Sequence, residues 1–254
     1  MSDPVVELRG VGKRYGTGVE ALRDVTAGFS RGKLTTLLGP SGCGKTTLLK
    51  IVAGLIQPTS GEVRVDGRRV EGPGPARAFV FQDFALLPWA TVLRNVAFGL
   101  ELRGIPREAR EGTARNWIRE VGLAGFEQSY PHQLSGGMRQ RVGLARALAV
   151  DAAIILMDEP FSAVDEQTRR KFQEDLLVLL RDRGKTVIFV THSIEEAVYL
   201  SDQIVLLTPR PGTVHRVVQP SVERGRRSAD EIRRDKGYLD AVDEIWQELK
   251  QHVG

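Results

Sequence analysis

The run Gly39-Pro40-Ser41-Gly42-Cys43-Gly44-Lys45-Thr46-Thr47 constrains this chain more than any other feature, because it fits the spacing G-x-x-x-x-G-K-[ST]. An apolar stretch at 34–38 precedes it and a helical one at 48–53 follows. In that setting the glycines let successive backbone N–H groups turn inward around phosphates, while the helix directs the positive end of its dipole at them. Lys45 supplies a point charge for β- and γ-phosphates, and the Thr46 hydroxyl a ligand for Mg²⁺. A plain glycine-rich turn between strand and helix is the alternative, and the flanks favour the phosphate loop. Cys43 is expected to contribute only its backbone N–H, although a thiol beside bound phosphate could make the site sensitive to oxidation.

Two more apolar runs, 154–157 and 187–190, are nearly continuous, as strands covered on both faces are. With helices between them they predict a parallel α/β sheet. The first ends in Asp158-Glu159-Pro160, which puts two carboxylates at the carboxyl edge of the sheet, where open α/β folds bind ligands. Asp158 suits a Mg²⁺ shell. Glu159 suits a water attacking the γ-phosphate, a task that needs position more than unusual basicity. Read alone, the pair is equally a helix N-terminal acid cluster. The run 187–190 leads to Thr191-His192, so the imidazole emerges on the same edge, although such a histidine alone also reads as a capping or packing residue. Gln82, after the apolar run 78–81, suits Mg²⁺, the attacking water or merely a turn. Leu134-Ser135-Gly136-Gly137-Met138 precedes a helical run whose Val142, Ala145, Leu148 and Ala149 form an apolar face. Ser135 suits an N-cap followed by a flexible turn, yet adjacent glycines cost stability unless backbone must approach something closely. Bare N–H groups at a helix start make a second anion site. That makes sense if the second site serves another subunit's nucleotide.

Around these motifs, 5–11 and 22–29 read as an antiparallel pair, and 61–70 as a hairpin turning at Asp66-Gly67. Strand signals stop between 88 and 135, where Val92, Val96 and Leu100 mark one helical face and Trp117 and Val121 another. A helix over 167–183 carries Phe172, Leu176, Leu179 and Leu180 and stops at Gly184. Past Pro220 the chain turns to arginine and acid, and Tyr238, Leu239, Val242, Ile245, Trp246 and Leu249 then mark an amphipathic terminal helix. The expected division is a domain at 1–222, with a β layer and core at 1–84 and 139–222 and a helical lobe at 85–138, followed by a helical extension at 223–254. At 254 residues a sizeable core is no obstacle. One cysteine excludes an internal disulfide and fits a reducing compartment. Without a signal peptide or an apolar span, the chain is expected to be soluble and cytoplasmic, serving a membrane only by docking. The net charge of +4 comes from scattered arginines and reads as solvated surface before a nucleic-acid patch.

GPSGCGKTT at 39–47, Gln82, LSGGMRQR at 134–141, ILMDEP at 155–160, SAVD at 162–165 and His192, in this order, resemble the ATP-binding cassette ATPases over about residues 15–220. The resemblance implies an α/β fold: a P-loop NTPase core with a mixed parallel sheet, an antiparallel β subdomain and an inserted α-helical subdomain. It implies ATP hydrolysis with Mg²⁺, and a catalytic set of Lys45, Gln82, Glu159 and His192. Thr46, Gln82 and Asp158 would hold the metal. Tyr15 would stack on adenine, unless it is a packed β-layer tyrosine. Ser135, Gly136 and Gly137 would hold the γ-phosphate of the opposite protomer in a head-to-tail homodimer, with Asp165 along the seam. Met138 and Val164 depart from the residues usual in the family, glutamine and leucine, and Met138 puts a side-chain contact in doubt.

LLPWATVLRNVAFGLELRG at 86–104, LLTPRPGTV at 206–214 and the short terminal helix resemble the importer branch for nitrate, sulfonate or taurine. That branch implies a separate membrane permease, indirectly a solute-binding protein, and a peripheral place on the cytoplasmic face of the membrane. The apolar stretch 84–89, with Phe84 and Trp89, is expected to grip a permease helix, although burial within the chain would equally explain its composition. Cassettes acting on nucleic acid generally carry two phosphate loops or a coiled-coil insertion, and neither occurs here, so no nucleic-acid partner is expected. Glu159 argues against a cassette that only senses ATP. Exporter ATPases are the nearest rival.

Overall fold

A computed structural model describes residues 4–162, 166–181, 183–223 and 227–250. The chain divides into two compact units, residues 1–74 with 180–254, and residues 75–179. The first unit opens with β1 (Pro4–Arg14) and β2 (Glu20–Ser30), paired antiparallel. β3 (Leu34–Leu38) buries all five of its residues and leads through the glycine-rich run into α1 (Lys45–Ala53). β4 (Ser60–Val65) and β5 (Arg68–Arg69) form the expected hairpin, with Asp66 and Gly67 at φ of 49° and 72°, as a two-residue turn demands. These outer strands make an antiparallel sheet in the order β2-β1-β4-β5.

The second unit holds β6 (Arg77–Val80), α2 (Val92–Leu102), α3 (Arg107–Glu120), α4 (Gly136–Ala149), β7 (Ile154–Asp158) and most of α5 (Glu166–Arg181). β6 and β7 pair in parallel, with Val80 opposite Met157. α2 starts where the Thr91 hydroxyl accepts from the Arg94 N–H, and it buries Val92, Val96 and Leu100 as its periodicity predicts. α3 differs from expectation: Ala114 and Ile118 turn inward, while Trp117 is only half-buried. Among the described residues of this unit, α2, α3 and α4 pack on one another.

The chain returns to the first unit with β8 (Thr186–Thr191), α6 (Ile194–Leu200), β9 (Gln203–Leu207), β10 (Val214–Val218), α7 (Ala229–Arg233) and α8 (Lys236–Lys250). β3 runs between β8 and β9, parallel to both, and β10 closes antiparallel on β9. The sheet is mixed. The sequence reading does not contain α6, β9, β10 or α7. β10 is an edge strand with His215, Arg216 and Val217 exposed, which hides its alternation, and α7 is a five-residue helix whose one signal is the Ser228/Glu231 capping box. The terminal helix also differs from expectation. α8 buries Tyr238, Ala241 and Ile245, in contact with α6, and leaves Leu239 and Trp246 53% and 56% exposed. The face toward α6 covers one stripe, and the apolar residues of α8 form two. Among the described residues no helix is long and apolar enough to cross a membrane.

Candidate functional site

Strand register carries the phosphate loop to its place in the first unit. Leu38, the last residue of β3, lies opposite Thr191 of β8 and Leu206 of β9. Gly39 therefore leaves the sheet between His192 on one side and Leu207 on the other. The loop then turns through Gly42 and Gly44, at φ of 75° and 104°, values that open the backbone N–H groups into an anion-binding concavity. A Cβ on Gly44 would lie 2.7 Å from Leu22 Cδ2 and 2.8 Å from the Ala21 oxygen, so the close approach to β2 admits no side chain. Lys45 is buried, and its Nζ donates to the carbonyl oxygens of Gly39 at 2.7 Å and Pro40 at 2.9 Å. This is a cationic cradle held by acceptors that phosphate oxygens can replace, and it fits a nucleotide.

Tyr15 stands near the same helix start, its hydroxyl 3.1 Å from Thr47 Oγ1, with 40% of its surface exposed. His192 is exposed at the end of β8, just before Ser193 caps α6. Cys43 differs from expectation. Its thiol is buried, and burial pushes its pKa up, which disfavours the reactive thiolate.

In the second unit β7 ends in the buried Asp158, followed by Glu159 at φ 46°. A left-handed glutamate costs on the order of 1 kcal/mol, and such strain gathers at functional positions. The Ser162 hydroxyl holds it, donating to the Glu159 oxygen at 3.0 Å. Because Val80 pairs with Met157, Gln82 and Glu159 leave neighbouring strands together, and Gln82 Nε2 lies 3.5 Å from Glu159 Oε2. Ser135 caps α4 by accepting from the Met138 N–H at 3.2 Å. Gly136 and Gly137, at the start of the helix, are each partly open to solvent. Val164 and Asp165 lie outside the described residues.

Residues that the motifs did not reveal shape the segment after Gln82. Phe84 and Ala85 both take positive φ, 63° and 42°, and Arg146 of α4 donates to their carbonyl oxygens at 2.6 and 2.7 Å. Burial draws the Arg146 guanidinium below the ordinary arginine value. Asn95 of α2 is fully buried: its Oδ1 accepts from the Leu87 N–H at 2.8 Å, and its Nδ2 donates to the oxygens of Leu87, Ala90 and Thr91. Phe84 is 7% exposed and belongs to the core, contrary to its expected place on a docking surface, whereas Trp89 is 70% exposed. An asparagine inside an apolar helical face was the one available sign of such a lock.

Comparison with known proteins agrees with this geometry. Residues 22–162 match the ABC transporter family. An uncharacterized ABC transporter ATP-binding protein of Methanocaldococcus jannaschii is 51% identical over 238 residues, covering 92% of this chain and 89% of that protein. A taurine import ATP-binding protein of Pseudomonas syringae pv. tomato is 47% identical over 247 residues, 95% of this chain and 94% of that protein. Among solved structures, a dimeric ATP-binding cassette in a post-hydrolysis state, bound to ADP and Pi, superposes with a TM-score of 0.74 at 36% identity, covering 84% of this chain and 98% of the other. A phosphate loop built on this register, in a chain with these relatives, makes the protein a member of the ABC transporter ATP-binding family and an ATPase.

Proposed function

We propose that this ATPase energises an importer, driving uptake of a small anion such as nitrate, an aliphatic sulfonate or taurine through a separate permease. What supports the reading is that one chain has two features suited to phosphate, the loop at 39–47 with positive φ at Gly42 and Gly44 and the start of α4 at Ser135, Gly136 and Gly137. In a head-to-tail dimer each loop meets the α4 start of its partner, so hydrolysis becomes a cycle of closing and opening. Lys45 and His192 stabilise the γ-phosphate, Glu159 positions the attacking water, and Tyr15 stacks on adenine. Thr46, Gln82 and Asp158 hold Mg²⁺, which supplies neutralisation of the phosphate charge.

The name of the Pseudomonas relative supports import and the class of solute. Such a subunit works at the cytoplasmic face of the membrane. The permease docks on the end of the 84–89 stretch at Trp89, which is 70% exposed. Reconstitution with the permease and solute-binding protein from neighbouring genes tests the reading. Taurine, an alkanesulfonate or nitrate should accumulate in vesicles only with MgATP on this subunit's side. ATP turnover without accumulation of any of the three overturns it.

A further inference from the structure

The segment TPRPGT at 208–213, between β9 and β10, has no place in the chemistry above. The Thr208 and Thr213 backbones close it, the Thr208 N–H donating to the Thr213 oxygen at 3.0 Å and the Thr213 N–H to Thr208 Oγ1 at 3.0 Å. Gly212 ties the turn to β2: its N–H donates to the Ala21 oxygen and its oxygen accepts from the Arg23 N–H, each at 3.0 Å. Thus anchored, the turn lies against the outside of the phosphate loop. Arg210 Nε donates to the Gly42 oxygen at 3.2 Å, and a Cβ on Gly212 would sit 2.1 Å from the Cys43 oxygen. Gly39 is pressed in the same way, since a Cβ there would lie 2.7 Å from the Leu207 oxygen.

These contacts fall on two successive carbonyls, those of Gly42 and Cys43. In a planar trans peptide the carbonyl and the following N–H point in opposite directions. The Gly42 carbonyl is bonded by Arg210 and the Cys43 carbonyl packs against the Gly212 backbone, so the N–H groups of Cys43 and Gly44 face away from the turn, toward the inside of the loop. The Cys43 N–H closes the turn on the Pro40 oxygen at 3.3 Å, a long bond that is cheaply exchanged. A hairpin joining β9 to β10 requires none of this. We propose that the 208–213 turn is a built-in template for the phosphate loop, and that Arg210 is a positioning residue for nucleotide binding, acting through the Gly42 carbonyl. It removes part of the ordering cost that a free glycine-rich loop would meet on binding.

The inference rests on the phosphate reading of the loop, and the experiment separates the two. Wild type and the variants Arg210→Ala, Arg210→Gln and Arg210→Lys are titrated with ADP by calorimetry, and amide exchange of residues 39–45 is followed in nucleotide-free protein. Arg210→Ala should weaken ADP binding about three- to tenfold, the worth of one hydrogen bond, and speed exchange at Cys43 and Gly44. KM for ATP should rise by a similar factor, with kcat at saturation changed by less than about twofold. Arg210→Gln, an uncharged donor, should restore much of both effects. Arg210 is exposed, so melting temperatures should stay together. Recovery by lysine and not by glutamine would show that the charge acts on the phosphates directly and would overturn positioning. Binding and exchange equal to wild type in Arg210→Ala would make the turn a bystander. Failure of wild type to bind ADP would instead remove the phosphate reading itself.

Discussion

Lys45 is held by two carbonyl oxygens in a buried cradle, so its ammonium is placed before any nucleotide arrives. Lys45→Ala is therefore expected to cut phosphate release by about a hundredfold or more, the usual cost of losing a preorganised charge at a transition state. Wild-type turnover in that variant would remove the assignment. Glu159 is placed differently, by a left-handed backbone at the end of β7 and by its neighbour Gln82. Glu159→Gln should still bind ATP, hydrolyse it very slowly and accumulate as a nucleotide-bound dimer on size exclusion; a monomer with normal hydrolysis gives Glu159 another task. The motif residues were legible because their types and spacing follow the ligand's chemistry. Arg146 and Arg210 were not, because each bonds to main chain that is distant in sequence and that folding alone brings near it.

At the scale of elements, α2 and the loop before it form one unit of behaviour. Asn95 satisfies four backbone groups of residues 87–91, the loop that presents Trp89. Trp89→Ala should leave melting within about 0.5 kcal/mol of wild type and basal ATPase intact, while weakening permease assembly and uptake. Phe84→Ala should instead cost about 3 kcal/mol as a core truncation, and Asn95→Leu about 1–3 kcal/mol through orphaned backbone groups. A stable Trp89 variant with normal uptake excludes this docking surface. At the other end of the chain, α8 is tied to β10 by Glu248, which accepts from His215 Nε2 at 2.8 Å and Arg216 Nη1 at 2.6 Å. These bonds, His215 first and then Arg216, hold the Glu248 carboxyl below its ordinary value of 4.5. A lowered folded-state pKa means stability that is present above the ordinary value and lost as pH falls through the folded one. Wild type should therefore melt above Glu248→Gln at neutral pH, and the gap should close in acid below pH 4.5. A gap independent of pH would show that the ion pairs do not secure the helix.

For the whole molecule the decisive question is whether one chain holds a complete site. A variant disabled at Lys45 and another disabled at Ser135 and Gly137 should each be inactive alone. Mixed, they form a heterodimer with one intact composite site, so phosphate release should reappear at a fraction of wild type. Half activity in each variant alone would place the nucleotide within a single chain. The sequence alone determined the strands β3, β7 and β8 and the residues at their carboxyl ends, because continuous apolar runs and phosphate-loop spacing are local patterns. Tertiary structure decided which apolar residues face inward: Phe84 against Trp89, and Tyr238 and Ile245 against Leu239 and Trp246. It also decided that Arg210 meets Gly42, 168 residues away. Hydropathy records that a residue can be buried, and only the packing of the other elements settles whether it is.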